Sequence, residues 1–177
     1  GARLARRGVG WEGVGGGVGE GDDRRDNARA KAREVAGCLG VPEGGAVLGA
    51  DTEVLLEGRA LGKPADRGQA MWALRELSGR GHLVRTAVCL ITARGERPVV
   101  DDARVFFREL SEDLVRWYAD TGEWRDRAGG YAIQGAGAAL VERVEGDPTT
   151  VVGLPLGALA AQLEDVGLAP WTDAGHN

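Results

Sequence analysis

Two neighbouring apolar stretches in the middle of the chain constrain the fold most strongly. Residues 82–91 (HLVRTAVCLI) and residues 99–107 (VVDDARVFF) are rich in β-branched and apolar side chains, which favour strands. The polar segment Arg94-Gly95-Glu96 lies between them and suits a turn. The sequence therefore predicts a long β-hairpin.

Helices are predicted on both sides of this hairpin. Alternating alanines and arginines, with a glycine at the end, indicate a helix over residues 22–37. Asp66 and Ser111 are suitable N-caps for two further helices, and Pro155 fits the first turn of a final one. Between the last two helices, residues 137–144 have the composition of a strand.

Length, hydropathy and net charge indicate the class of protein. At 177 residues it is long enough to bury a core, and we expect a single domain over residues 1–177 with a tail at 169–177. No apolar run of about 18 residues is present, so we expect no membrane span. The net charge of −5 gives no overall positive field, so we expect no nucleic-acid partner.

The cysteines and histidines give no metal-binding pattern. Cys38 and Cys89 lack CxxC spacing and a nearby histidine, which argues against a zinc site or a disulfide framework. We expect both to be buried thiols of a cytoplasmic protein. His82 has no second histidine near it, because His176 lies in the polar tail, so we interpret it as a structural or hydrogen-bonding residue.

The stretch from Gly49 to Pro64 (GADTEVLLEGRALGKP) carries the most informative polar residues. A short apolar strand over residues 46–49 is followed by Asp51 and Thr52, and the chain returns through a Glu-Gly turn to Lys63. A carboxylate after a buried strand suits a functional residue held on a rigid element. The alternative interpretation is an aspartate that simply begins a turn.

The chemistry that these residues allow points towards a nucleotide. Lys31 and Lys63 can neutralise phosphate oxygens, a divalent cation can bridge them, and Asp51 can accept a proton from water. Gln134, in the glycine-rich loop over residues 122–135, offers both a donor and an acceptor for a base edge. A small-molecule binding protein without catalysis fits the pattern nearly as well, and Lys31 could simply be a solvated helix residue.

Four blocks of sequence together resemble the Maf family of nucleoside triphosphate pyrophosphatases, once described as septum-formation inhibitors. Their order and spacing cover most of residues 20–167. The blocks are Gly49–Thr52; Leu61–Pro64; Leu77–Arg80 with His82, Val84 and Thr86; and Ala128–Gly135 followed by Val151–Leu156.

The resemblance implies both a fold and a reaction. The fold is α/β, with an elongated, twisted, mixed β-sheet flanked by helices and two lobes around a central cleft, related to the house-cleaning ITP pyrophosphatases. The reaction is cleavage between the α and β phosphates with Mg²⁺ or Mn²⁺. A homodimer is also implied. The alternative is a nucleotide-binding regulator of division or septum formation with weak or absent hydrolysis.

The same resemblance assigns roles to individual residues without identifying a metal ligand. Asp51 matches the family's proton acceptor. Thr52 and Gln134 match positions for base specificity and are similar to the subgroup acting on dTTP and UTP, so we expect pyrimidine substrates, including modified ones. The positions that surround the phosphates and the metal are matched by Glu20, Lys31 and Lys63.

The chain also departs from the family pattern. Members begin with a strand leading to Ser-x-Ser-Pro-Arg-Arg, which would stand just before Gly1, and Arg6-Arg7 do not replace it. We therefore expect fewer arginine contacts to the triphosphate and weak or no activity of the chain as given. Arg127 stands where the family usually has lysine, and Thr149-Thr150 replace an aromatic residue and an asparagine.

Overall fold

The computed structural model describes residues 24–171, in which five strands form one sheet in the order β2-β1-β3-β4-β5. All four pairings between these strands are antiparallel, whereas the resemblance implies a mixed sheet. The predicted α/β class with flanking helices is confirmed. The strands are β1 (Val47–Leu56), β2 (Arg59–Leu61), β3 (Gly81–Thr92), β4 (Gly95–Phe107) and β5 (Val141–Glu145).

The predicted long hairpin is present as β3 and β4. Its register runs from Gly81 opposite Phe106 to Thr92 opposite Gly95. The turn is shorter than predicted, because Gly95 already belongs to β4. The Thr92 hydroxyl accepts a hydrogen bond from the Arg94 backbone N–H at 3.1 Å, which closes this turn.

Within residues 24–171 five α-helices accompany the sheet, and the predicted caps are confirmed. The Asp66 carboxylate accepts from the Gln69 N–H at 2.8 Å, and the Ser111 hydroxyl accepts from the Leu114 N–H at 3.2 Å. The helices are α1 (Arg24–Leu39), α2 (Arg67–Leu77), α3 (Glu112–Thr121), α4 (Pro148–Val152) and α5 (Leu156–Asp165).

Three local predictions were wrong. The helix predicted to end at residue 37 continues to Leu39. Residues 137–144 are not one strand, because 3₁₀ turns over Gly135–Leu140 precede β5. There the Glu123 carboxylate accepts from the backbone N–H groups at 136 and 137, at 3.0 and 3.1 Å, which holds this backbone out of the sheet. Cys38 is exposed in the last turn of α1, and only Cys89 is buried.

Three apolar clusters of the described residues lie against the sheet. The largest lies between one end of the sheet and helices α2 and α3, and it includes Leu74, Val105 and Tyr118. At the other end, α1 covers one face through Ala28 and Ala32, and α5 packs against the opposite face. Helices therefore pack against both faces of the sheet.

His82 is buried beside two aromatic members of the largest cluster, Phe107 and Tyr131. Its Nε2 lies 2.8 Å from the hydroxyl of Tyr131, and its ring meets that of Phe107 edge to face at 5.1 Å. Burial lowers the pKa of His82 from 6.5 to about 4. The interpretation of His82 as a structural, hydrogen-bonding residue is confirmed.

We expect this histidine to make the fold sensitive to acid. Between pH 6.5 and pH 4 the unfolded state protonates His82 and the folded state does not, so the free energy of unfolding falls as the pH falls. The slope should approach about 1.4 kcal/mol per pH unit. Urea denaturation across this range should show that slope in the wild type and a flatter one in His82→Phe. The matched control is His176→Gln, which should keep the slope; an unchanged slope in His82→Phe would contradict the assignment.

Candidate active site

Asp51 lies in the middle of β1, at an edge of the described sheet. β2 pairs with β1 only at Val54–Leu56, whereas β3 pairs with it along residues 47–55. The prediction that Asp51 follows the strand was therefore wrong. The strand continues through Asp51 because β3 pairs with the β1 residues before and after it. Successive side chains of a strand point to opposite faces, so Asp51 faces α1 and Thr52 faces α4.

The Asp51 carboxylate is held by three residues of α1. Its Oδ1 accepts from the Lys31 ammonium at 2.5 Å, and its Oδ2 accepts from Arg24 Nη1 and Asn27 Nδ2, both at 3.1 Å. Burial raises the pKa of Asp51, but the hydrogen bonds from Lys31, Asn27 and Arg24 outweigh it and lower the pKa overall. The carboxylate is therefore ionised at neutral pH.

Arg24 and Asn27 are site residues that the sequence interpretation missed. Together with Lys31 they stand at positions i, i+3 and i+7, which share one face of a helix. That spacing was visible in the sequence and could have identified the face. What the sequence did not show is that this face lies against Asp51.

Close contact between α1 and β1 fixes this arrangement. A Cβ atom added at Gly49 would lie 2.2 Å from the carbonyl oxygen of Ala28 and 2.6 Å from the backbone nitrogen of Ala32. Only glycine allows so close an approach of the two backbones. The helix that carries Lys31 therefore rests directly on the strand that carries Asp51.

A cavity of about 860 Å³ opens beside the uncovered edge of β1, within the size range of small-molecule sites. Because this edge has no strand partner among residues 24–171, side chains from both faces of β1 reach the cavity. Five of the six predicted site residues line it, and Glu20 lies outside the described residues. The five are Lys31, Asp51, Thr52, Lys63 and Gln134.

Further charged side chains of the glycine-rich loop line the same cavity. Arg125 and Arg127 add two positive charges to those of the lysines, and Glu123 and Asp126 add negative ones. Arg127 thus keeps the positive charge that the family pattern expects there, and Arg125 is a residue that the sequence interpretation missed. The described part of the cavity wall thus combines four positive side chains with three carboxylates.

The loop that carries Gln134 is hydrogen-bonded to the rest of the structure at several points. The Gly129 N–H donates to the Gly62 carbonyl at 3.1 Å, next to Lys63, and the Ala132 N–H donates to the Tyr118 hydroxyl at 3.0 Å. The Glu123 carboxylate binds the backbone just after Gln134. These contacts give Gln134 a defined position at the cavity wall.

Thr149 and Thr150 both have hydrogen-bond partners. The Thr149 hydroxyl donates to Asp147 at 2.6 Å and accepts from the Leu156 N–H at 2.9 Å. The Thr150 hydroxyl donates to the Asp101 carboxylate. The local hydrogen bonding is therefore complete with threonine at both positions.

Three carboxylates of the described residues line the cavity: Asp51 on β1, and Glu123 and Asp126 in the glycine-rich loop. Within residues 24–171 no three His, Cys, Asp or Glu side chains lie close enough together to hold a metal ion on their own. Mg²⁺ is often held by one or two carboxylates together with substrate phosphates, and Asp51 fits that pattern. Across the same residues no helix has both the length and the apolar character to cross a bilayer.

Comparison with known proteins gives a consistent result. A family model described as "Maf-like protein" matches residues 19–166. The dTTP/UTP pyrophosphatase of Thermus thermophilus is 52% identical over 124 residues, which cover 70% of this chain and 66% of that protein. The one of Pyrococcus furiosus is 51% identical over 110 residues, covering 62% and 58%. The one of Deinococcus radiodurans is 42% identical over 173 residues, covering 94% and 87%. The chain thus spans less than two thirds of the length of the first two.

Proposed function

The chain belongs to the family of Maf-like proteins, and on that premise we propose that it hydrolyses dTTP and UTP to the nucleoside monophosphate and pyrophosphate. One observation carries the proposal. An ionised carboxylate, Asp51, stands at the edge of a cavity that Lys31 and Lys63 also line, beside two groups suited to a base edge, Thr52 and Gln134. Modified pyrimidine nucleotides are included, which makes the role a house-cleaning one.

The proposed reaction divides the work between charge neutralisation and proton transfer. Lys31 and Lys63 bind phosphate oxygens and offset their charge. Asp51 accepts a proton from the water whose oxygen bonds to the α phosphorus, while the bond from that phosphorus to the bridging oxygen breaks and pyrophosphate leaves. The lowered pKa of Asp51 keeps it in the ionised form that a base requires.

A divalent cation, Mg²⁺ or Mn²⁺, would neutralise the phosphate oxygens and polarise the phosphorus under attack. Asp51, one of three described carboxylates that line the cavity, would help to hold it. Glu20 is proposed as a further residue near phosphate or metal on the resemblance alone.

The direct test is pyrophosphate release from a panel of nucleoside triphosphates. We expect release from dTTP and UTP in the presence of Mg²⁺ or Mn²⁺, slower release from cytidine and purine nucleotides, and none after the cation is removed with EDTA. Calorimetry on the same samples measures binding separately. Nucleotide binding without any product would contradict the proposal and favour a nucleotide-binding regulator instead.

Three further properties accompany the proposal. We place the activity in the cytoplasm, where nucleoside triphosphates are made and used. We propose one domain over residues 1–177. A homodimer, which the family resemblance implies, stays a prediction that analytical ultracentrifugation tests directly.

A further inference from the structure

Three threonines form a hydrogen-bonded chain behind the cavity wall. The hydroxyl oxygens of Thr52 and Thr86 lie 2.9 Å apart across the β1–β3 pair. The Thr86 hydroxyl also lies 2.7 Å from the backbone carbonyl oxygen of Thr150, in α4. Thr86 is fully buried, whereas Thr52 reaches the cavity.

The direction of each hydrogen bond in this chain follows from the one proton that a hydroxyl carries. A carbonyl oxygen can only accept, so Thr86 donates its proton to Thr150. No proton of Thr86 is left for Thr52, and therefore Thr52 is the donor in the bond between the two hydroxyls. With its own proton directed into the protein, Thr52 can only accept a hydrogen bond from the cavity.

The structure keeps the space around this acceptor open. Gly153 has a φ of 107°, and a Cβ atom there would lie 3.2 Å from the hydroxyl oxygen of Thr52. A side chain at this position would be strained and would crowd that oxygen. The end of α4 thus contributes both the carbonyl that orients the threonines and the clearance in front of Thr52.

We propose that Thr86 is a positioning residue that fixes Thr52 as an acceptor and so selects pyrimidine bases with an N3–H. This inference rests on the proposed function. Uracil and thymine carry a proton on N3 and can donate it to Thr52. Cytosine has a lone pair on N3, which would face the lone pair of the Thr52 oxygen without a proton between them. Unpaired polar groups at a binding site are a strong means of rejecting a close analogue.

The test compares uracil and cytosine nucleotides on one protein sample. Thr86→Val removes the hydroxyl at nearly constant volume and leaves the Thr52 proton without its acceptor, so that it can turn towards the cavity. We expect the ratio of kcat/KM for UTP to that for CTP to fall by about tenfold or more. Thr86→Ser keeps the hydroxyl and should restore the ratio. Loss of folded protein lowers both rates equally and does not move the ratio.

The matched control is Thr92→Val, which removes another buried hydroxyl from β3 outside the cavity and should leave the ratio unchanged. An unchanged ratio in Thr86→Val, or an equal fall in Thr86→Ser, would overturn the inference.

Binding of the non-hydrolysable α,β-imido analogues of dUTP and dCTP, measured by calorimetry, gives a second readout. If the wild type prefers the uracil analogue and Thr86→Val loses that preference, the inference stands even when no pyrophosphate is released, and only the proposed hydrolysis fails. If the wild type shows no preference between the analogues, the inference fails.

Discussion

Replacing Asp51 with asparagine is expected to lower the rate of pyrophosphate release from dTTP by a factor of about 10² to 10⁴, the usual contribution of a general base. Asparagine has nearly the same shape but cannot take the proton from water. Nucleotide affinity measured without a divalent cation should not weaken, because the change removes a negative charge from beside the phosphates and leaves Lys31 without its ion-pair partner Asp51. Steady-state kinetics and calorimetry together separate these two effects.

Glu53→Gln is the matched control for this experiment. Glu53 lies on the same face of β1 two residues further on, is similarly shielded from solvent and pairs with the same Arg24 at 3.1 Å. It does not line the cavity. We expect its variant to retain the rate within a few-fold. Equal losses in the two variants would point to the ion pairs with α1, rather than to proton transfer, as the source of the effect.

Gly49→Ala is expected to destabilise the fold by about 3 kcal/mol or more, at the upper end of the cost of overpacking. The added methyl group would meet backbone atoms of Ala28 and Ala32, which cannot rotate away as a side-chain end can. Helix α1 must therefore move off the strand, and Lys31 moves with it. Urea denaturation should show the lower midpoint, and the folded variant should also bind nucleotide more weakly.

Gly37→Ala provides the matched control for Gly49→Ala. Gly37 lies on the exposed side of α1, and a Cβ atom added there would meet nothing within 4 Å. We expect this variant to be more stable by about 0.5 to 1 kcal/mol, because alanine is the better helix former. If both alanine variants were equally stable, the close contact between α1 and β1 would not be what positions the helix.

Features set by neighbouring residues could be predicted from the sequence. The hairpin of β3 and β4 follows from apolar strands on either side of a short polar turn, and the caps at Asp66 and Ser111 depend on residues three positions away. The family resemblance added the residues around the cavity, because it carries information about which distant segments come together. Patterning alone had indicated only an acid, two lysines and a carboxamide without a common location.

Features set by distant contacts could not be predicted in this way. Residues 137–140 have a strand-like composition, but the carboxylate of Glu123 binds their backbone and removes them from the sheet. The sequence predicts Asp51 after a strand because its charge interrupts an apolar run. In the structure α1 supplies the hydrogen-bond partners that allow a carboxylate within β1. The hydrogen bond that orients Thr86 depends on the carbonyl of Thr150, which lies 64 residues away along the chain.

The alternation of side chains along β1 has a consequence for how such a protein can change over evolution. Asp51 and Thr52 are adjacent in the chain, yet one faces α1 and the other faces α4. Under the proposed function, a substitution at position 52 would therefore alter which base is preferred without disturbing the carboxylate. An insertion or deletion of one residue in this strand would exchange the two faces. A point mutation at position 52 could therefore change the substrate preference, whereas a change in the length of β1 would move Asp51 away from α1.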